Sequence, residues 1–262
     1  MKNGDDRSLK FFIKKPAASS RGRGIRVHSI RDASRILRKM KKKNAKKNRK
    51  YLLQRYIHRP LLINRLKFDI RLYVLVTSFN PLVVFMFNEG LVRFCTEPFN
   101  MNKSSSAGHL TNYSVQKHTN VFQENQCADE DSTGHKWSYT ALLRHIREHH
   151  GNEKVRKVRL NIQRLVAKTM IAVEENINSV LSRLHSVVNT SLGGHCFEVF
   201  GFDVMLDQDL KPWLIEVNTS PSLTSNSPLD KRVKGMLVSD TLHLVGVRSS
   251  SVKFENIFFS GC

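Results

Sequence analysis

The sequence predicts an α+β fold, with antiparallel strands and helices packed against them. Three observations carry this reading. Two β-branched and aromatic runs, FDIRLYVLVTSF and PLVVFMF, are separated by little more than a turn at Asn80-Pro81. A second pair of apolar runs lies within DVMLDQDLKPWLIEVN, Asp203 to Asn218, and flanks a short polar turn, as a hairpin does. Between the pairs, KVRLNIQRLVAKTMIAVEENINSVLSRL spaces its apolar residues as one face of a long helix.

The remaining elements follow in order. KFFIKK reads as a short strand, PAASSRGRG as a loop and IRVH as a second strand. Asp32 is placed to cap a basic helix running through SRILRKM, since its carboxylate can accept from the first turn's free N–H groups. YLLQRYI is strand-like, and NEGLVRF predicts another turn and strand. Residues 100–135 are rich in Ser, Asn, His and Gln and predict a long irregular connection, of the kind that is usually functional or disordered. WSYTALLRHIREHH predicts a helix ahead of the long one. SPLDKRVKGMLVSDTLHLVG predicts a closing helix with Ser227 as its cap.

Composition narrows the function. A chain of 262 residues can bury a sizeable core as one large or two small domains. Its four Cys are far apart and form no CxxC pair, which argues against a disulfide framework or a thiolate zinc site and fits a reducing compartment. No apolar run is long enough to span a membrane, and the polar N-terminus does not read as a signal peptide. The expected location is the cytosol. The charge is lopsided, with 43 Lys+Arg against 22 Asp+Glu. Residues 21–50 hold 14 Lys/Arg against one acid, Asp32, a local excess of +13. Such a cluster implies an anionic partner, whether nucleic acid, anionic lipid or an acidic protein tail. A solubilising insertion without a partner reads equally well.

Three groups of residues could carry chemistry. Gly22 and Gly24 lie in a loop between two strands, where backbone N–H groups can approach a phosphate, though the loop is not a P-loop. Lys15 stands just upstream, a fixed charge within reach of it. Lys67, Asp69 and Arg71 share one face of a strand whose other face, Phe68, Ile70 and Leu72, is apolar. They either pair with one another or line a cleft for a charged ligand, and the apolar opposite face favours the cleft. Asp203, Glu216 and Asn218 end up near one sheet edge if the hairpin forms. Their hard oxygen atoms suit Mg²⁺, against the plainer reading of polar hairpin ends. No Ser, His or Cys nucleophile stands out. The set resembles equipment for holding ATP with Mg²⁺ and neutralising phosphoryl charge.

Several segments, taken together and in order, resemble the tubulin–tyrosine ligase-like family, and within it the glutamate ligases. They are KPAASSRGRGI, LQRYIHRPLLI, KFDIRLYVLVTS, EGLVRF, HLTNYSV, GHKW and the run from FEVFGFDVMLD through KPWLIEVNTSPSL to the closing helix. They cover most of residues 11–247. The resemblance implies an ATP-grasp-like fold, with the nucleotide in a cleft between lobes. It implies a partial central lobe over 1–100 with the basic stretch 38–50 as an insertion, a C-terminal lobe over 101–247, and an unassigned tail, 248–262.

The resemblance also assigns roles. Lys15, Arg21 and Gly22 border the nucleotide phosphates, with Arg21 facing the protein acceptor. Gln54, Arg55, Tyr56 and Ile57 match the segment that holds adenine. Lys67, Asp69, Thr111 and Asn112 match further nucleotide contacts. Arg93 matches the arginine for the incoming glutamate's carboxylate, and Ser114, Lys136 and Thr219 fall on the amino-acid side. Asp203, Glu216 and Asn218 match the metal ligands. Lys67, Arg93 and Glu216 are the residues expected to act in catalysis.

The implied activity is an ATP-dependent ligase that adds free L-glutamate to glutamates of the acidic tubulin tails. Microtubules are the implied partner and the cytoskeleton, cilium or basal body the implied place, with neither a membrane nor a nucleic acid involved. Acidic tails give the basic stretch a natural partner by electrostatic steering. Two rivals remain: a glycine ligase of the same family, against which Arg93 and Lys136 argue, and a non-catalytic basic module binding microtubules or RNA. The chain starts close to the lysine expected at the phosphates, so the family's N-terminal domain and part of its central one are expected to be missing from this sequence. That start fits a fragment, an incomplete copy or a degenerate one.

Overall fold

The computed structural model describes residues 11–17, 22–32, 35, 36, 38, 50–101, 106–187 and 197–246, with 184–187 described as backbone only. Arg21, the lysine-rich run 39–49, most of the expected basic helix and the tail 248–262 lie outside the described residues.

Among the described residues, two antiparallel sheets form. In the smaller, β1 (Phe11–Pro16) lies between β2 (Arg26–Ser29) and β3 (Tyr51–Arg55). The larger follows the order β7 (Lys136–Ser138), β6 (Leu82–Phe94), β5 (Leu66–Phe79), β8 (Glu198–Leu206), β9 (Pro212–Asn218). A two-residue strand, β4 (Leu62–Ile63), turns directly into β5. Strands from both sides of residue 100 thus share this sheet. The α+β class with antiparallel sheets and packed helices is as the sequence predicts.

The alternation within β5 sets the layers. Phe68, Ile70, Leu72, Val74 and Val76 point to one face and are fully buried. Helix α3 (Tyr139–Val187) covers that face with Leu142, Ile146, Val158, Ile162, Val166 and Met170, the helical spacing read in the sequence. Burying each such side chain contributes roughly 1.5–3 kcal/mol. The opposite face carries Tyr73 and Leu91 against Leu229, Val233 and Leu237 of α4 (Pro228–Leu244). Ser227 caps α4 as expected, accepting from the Asp230 N–H at 3.2 Å. Two one-turn helices, α1 (Ser106–His109) and α2 (Tyr113–Gln116), lie in the connection expected to be irregular. Buried Gln116 braces them, accepting from the Thr96 N–H at 2.8 Å and donating to the Leu110 carbonyl.

Two expectations change. NEGLVRF does not open with a turn, because β6 runs unbroken through it from Leu82 to Phe94. Gly90 is needed there for contact rather than for turning: a Cβ on it would sit 2.6 Å from the Arg71 carbonyl oxygen. Asp203 does not open its strand either. β8 starts at Glu198, so Asp203 falls in its middle, opposite Glu216. The separation of the two expected helices survives as a break within α3, at Gly151, where φ is 82° and ψ is 167°.

Candidate active site

A cavity of about 230 Å³ lies between the two sheets. β1 and the loop after it supply Lys15 and Gly22, and the end of β3 supplies Gln54, Arg55, Tyr56 and Ile57. β5 brings Lys67 and Asp69, and the segment between α1 and α2 brings Thr111 and Asn112. β8 and β9 bring Asp203, Glu216 and Asn218. Residues 203 positions apart in the chain, Lys15 and Asn218, therefore line one space. Gly22 closes its rim with φ of 74°, and a Cβ there would stand 3.0 Å from Asn112 Oδ1.

The cations and anions in this region are unequally partnered. Lys67 is buried and donates to Tyr56 Oη at 3.0 Å and to the His109 carbonyl at 2.7 Å. Both acceptors are neutral, so these bonds orient the ammonium without cancelling its charge. Lys15, half-buried, has its pKa pushed down, by burial first, with Glu216 opposing and Lys67 adding.

Two of the lining carboxylates, Asp69 and Asp203, belong to a charge network. Arg71 donates to Asp203 through Nε at 2.5 Å and Nη2 at 3.0 Å. Arg93 pairs with both Asp69 oxygens, at 2.8 and 2.5 Å, and reaches Asp203 Oδ2 at 2.9 Å. Strand register explains this, since Asp69 lies opposite Arg93 and Arg71 opposite Asp203. The strand-face charges thus pair across strands rather than along β5. Burial opposes ionisation of Asp203, but Arg93 and Arg71 prevail and hold its carboxyl well below the usual range. Glu216 shifts the other way. Partial burial and the neighbouring Asp203 carboxylate push its carboxyl up.

The expected metal ligands are compatible with a hard divalent ion. An ionised carboxylate offers about four lone-pair directions. The two arginines take three at Asp203, through the bonds just given. Asn218 donates its amide nitrogen to the Gly201 carbonyl at 3.3 Å, which leaves its amide oxygen to accept. A carboxyl whose ionisation a neighbouring carboxylate resists is stabilised by a cation between the two.

A model of the tubulin-tyrosine ligase family matches residues 1–253. The chain belongs to that family. Among curated proteins, it is 42% identical over 243 residues to tubulin monoglutamylase TTLL4 of Mus musculus, covering 91% of this chain and 19% of that protein. It is 39% identical over 238 residues to tubulin polyglutamylase TTLL5 of Mus musculus, covering 90% of this chain and 17% of that protein. Tubulin polyglutamylase ttll6 of Danio rerio is 38% identical over 244 residues, 91% of this chain and 28% of that protein. The chain thus spans about a fifth of the length of the first two.

For this member of the tubulin-tyrosine ligase family, not every expected site residue meets at the cavity. Arg71 lies in the network, not among the lining residues, and so does Arg93, which already serves two of the protein's own carboxylates. Lys136 is buried and donates to Asp230 of α4 at 2.7 Å, with its ammonium 5.2 Å from the Tyr113 ring centre. Ser114 lines a neighbouring cavity with Gly22, Arg23, Lys117 and His118. Thr219 is exposed, just beyond β9.

The sequence reading also missed part of the lining. Ile13, Ile25, Met205 and Ile215 give the cavity apolar walls, and His109 accepts or donates at Tyr56 Oη through Nδ1 at 2.9 Å. Met205 carries a faint signal, two residues beyond Asp203 and so on its face of β8. The others depend on the two sheets meeting.

Proposed function

We propose that the chain is the catalytic part of an ATP-dependent ligase that joins glutamate to glutamate side chains in acidic tubulin tails. The observation that carries this reading is the cavity itself. It brings two lysines, a glycine-edged rim and an acid–acid–amide set together beside apolar walls, a combination suited to a nucleotide's phosphates and base. Family membership and the glutamylase names of the relatives support the reaction type and the amino acid.

In this reading Ile13, Ile25, Met205 and Ile215 enclose the base beside Gln54 to Ile57. Lys15 and Lys67 hold phosphate oxygens, and Asp203, Glu216 and Asn218 hold Mg²⁺. When bound, the ion supplies charge neutralisation for the transferring phosphoryl group. A γ-carboxylate oxygen of the acceptor attacks the γ-phosphorus of ATP, and ADP leaves. The amine of free glutamate then attacks the acyl phosphate carbon, phosphate leaves, and the nitrogen loses its proton to give the isopeptide. Lys67 acts by position, its ammonium fixed by two neutral acceptors before the phosphate arrives. Asp69 and Asp203 are held in place by Arg93 and Arg71.

Arg93 and Lys136 each already hold a carboxylate of the protein, so these two cations do not by themselves separate glutamate from glycine. The names of the relatives favour glutamate. A cytoplasmic, microtubule-associated place follows from the acceptor, and no described helix is long and apolar enough to cross a membrane.

The test is intact mass spectrometry of tubulin tails after incubation with this chain, ATP, Mg²⁺ and equal glutamate and glycine. Glutamate-sized additions are expected. Glycine-sized additions would move the chain to the sister activity. Absence of any addition, with the fold verified, would favour the non-catalytic binding module.

A further inference from the structure

The motif HIREHH lies in the first segment of α3, just before the break at Gly151. We propose that His145, Glu148 and His149 form a binding site for a first-row transition-metal ion, with Zn²⁺ as the natural occupant. Among the described residues, this is the one group of three His, Cys, Asp or Glu whose ligand atoms all lie within 4.8 Å of one another. The spacing i, i+3, i+4 explains why, since those positions share one face of a helix. The cluster is separate from the cavity, none of whose lining residues it includes.

Three details favour a metal over an ordinary polar helix surface. The His145 and His149 rings lie 4.1 Å apart at 33°, close enough for one ion to draw a nitrogen from each. His149 Nδ1 is 2.8 Å from the His145 carbonyl oxygen. A carbonyl only accepts, so Nδ1 carries the proton and donates, which leaves the Nε2 lone pair for a ligand. Metal-binding histidines characteristically fix their second ring nitrogen in this way. The His145 ring is itself steadied by an edge contact with Trp137 of β7, at 5.9 Å and 68°.

The donor set selects the ion. Two imidazoles and one carboxylate suit Zn²⁺, with water completing a tetrahedron, whereas Mg²⁺ prefers oxygen alone. The hairpin's acid–acid–amide set has the opposite preference, so the two sites separate by chemistry. The ion would clamp the last turn of the first α3 segment immediately before Gly151 releases the helix. The cysteine spacing argues against a thiolate zinc site, but an imidazole site needs no cysteine.

Trp137 provides the readout. In tag-free protein of this 262-residue sequence carrying Trp213→Phe it is the remaining tryptophan of the two. Ni²⁺, a paramagnetic quencher, is titrated while its fluorescence is followed. Saturable quenching near one equivalent is expected, reversed by Zn²⁺. His145→Gln and His149→Gln should each weaken Ni²⁺ binding at least about tenfold, while His150→Gln, outside the cluster, changes it less than about twofold. His149 is exposed, so its substitution should preserve the fold even if loss of His145 disturbs Trp137; circular dichroism verifies this. Quenching that does not saturate, or that survives His149→Gln unchanged, would overturn the site. So would an equal loss in His150→Gln.

Discussion

Glu216 stands directly opposite Asp203 in the β8–β9 register, and both carboxylates line the same cavity. They do not share their protein counter-charges equally. Asp203 is held ionised by Arg71 and Arg93, whereas the Glu216 carboxyl is pushed up by burial and by Asp203. One member of the pair is therefore kept charged by the protein, while the ionisation of the other is resisted by burial and by its neighbour.

This asymmetry predicts a pH-dependent response to Mg²⁺. The folded-state pKa of Glu216 is raised above its ordinary value of 4.5. Its ionisation therefore costs the folded state stability as pH rises from that value through the folded pKa. An ion that binds the charged form offsets the cost. The Mg²⁺-induced rise in melting temperature should grow from about pH 4.5 to pH 7. Glu216→Gln should abolish both that rise and Mg²⁺-dependent turnover, while its melting temperature without Mg²⁺ at pH 7 stays equal or increases. Retention of the Mg²⁺ shift in the variant would remove the metal assignment.

Lys67 tests phosphate binding against a purely structural role. Its acceptors are a phenol and a backbone carbonyl, each a neutral partner. Lys67→Ala should weaken ATP binding by about 1.5–3 kcal/mol, roughly 10- to 150-fold, as expected for a charged hydrogen bond lost. Tyr56→Phe removes one of its acceptors but keeps the cation. It should cost about 1 kcal/mol of stability and leave ATP affinity nearly unchanged. Calorimetric ATP titration and thermal melts of both variants decide. Equal losses of affinity in the two would make Lys67 an orienting contact only.

The legibility of this molecule in its sequence follows interaction range. β5 could be read because its alternation is local, and Phe68, Ile70 and Leu72 indeed face the core. The hairpin of Asp203 to Asn218 could be read because its turn is short. Ser227 could be read because a cap lies three residues from the N–H it satisfies. The partners of Arg93 could not. Asp69 and Asp203 reach it only once β6, β5 and β8 are adjacent, and no local spacing encodes that order. The same holds for Lys136 and Asp230, 94 positions apart. Gly90 misled for a related reason: it resembles a turn residue locally, yet its lack of a side chain serves the neighbouring strand.

Arg71 should matter to stability more than to substrate. Its side chain and that of Asp203 are 13% and 2% exposed, and removing one member of a buried pair leaves the other uncompensated. Arg71→Met should cost about 3 kcal/mol, moderated because Arg93 still serves Asp203. The acid response supplies the specific signature. Asp203 has a lowered folded-state pKa, so its contribution is present above its ordinary value of 3.8 and is lost as pH falls below it. Without Arg71 that pKa rises back toward the ordinary value, and the loss of stability on acidification becomes shallower. Urea unfolding between about pH 2 and pH 5 reads the slope. An unchanged slope would mean that Arg93 alone holds Asp203 ionised.

Gly151 isolates a backbone effect. Its φ of 82° and ψ of 167° fall in a region that side-chain-bearing residues avoid, and a Cβ there would meet nothing within 4 Å. Gly151→Ala therefore adds no clash with neighbours, and its whole cost is conformational. About 1–3 kcal/mol of destabilisation is expected. The alternative is that the two segments of α3 straighten into one helix, since alanine favours helix by about 1 kcal/mol over glycine. Straightening would pull Leu142 and Ile146 or Val155 and Val158 from the β5 face, because both sets pack there on either side of the break. Losing that packing costs more than the helix propensity returns. The substitution should thus lower the melting temperature while leaving helix content by circular dichroism unchanged. A stabilised variant with higher helix content would show that the break follows from glycine alone and not from the core it serves.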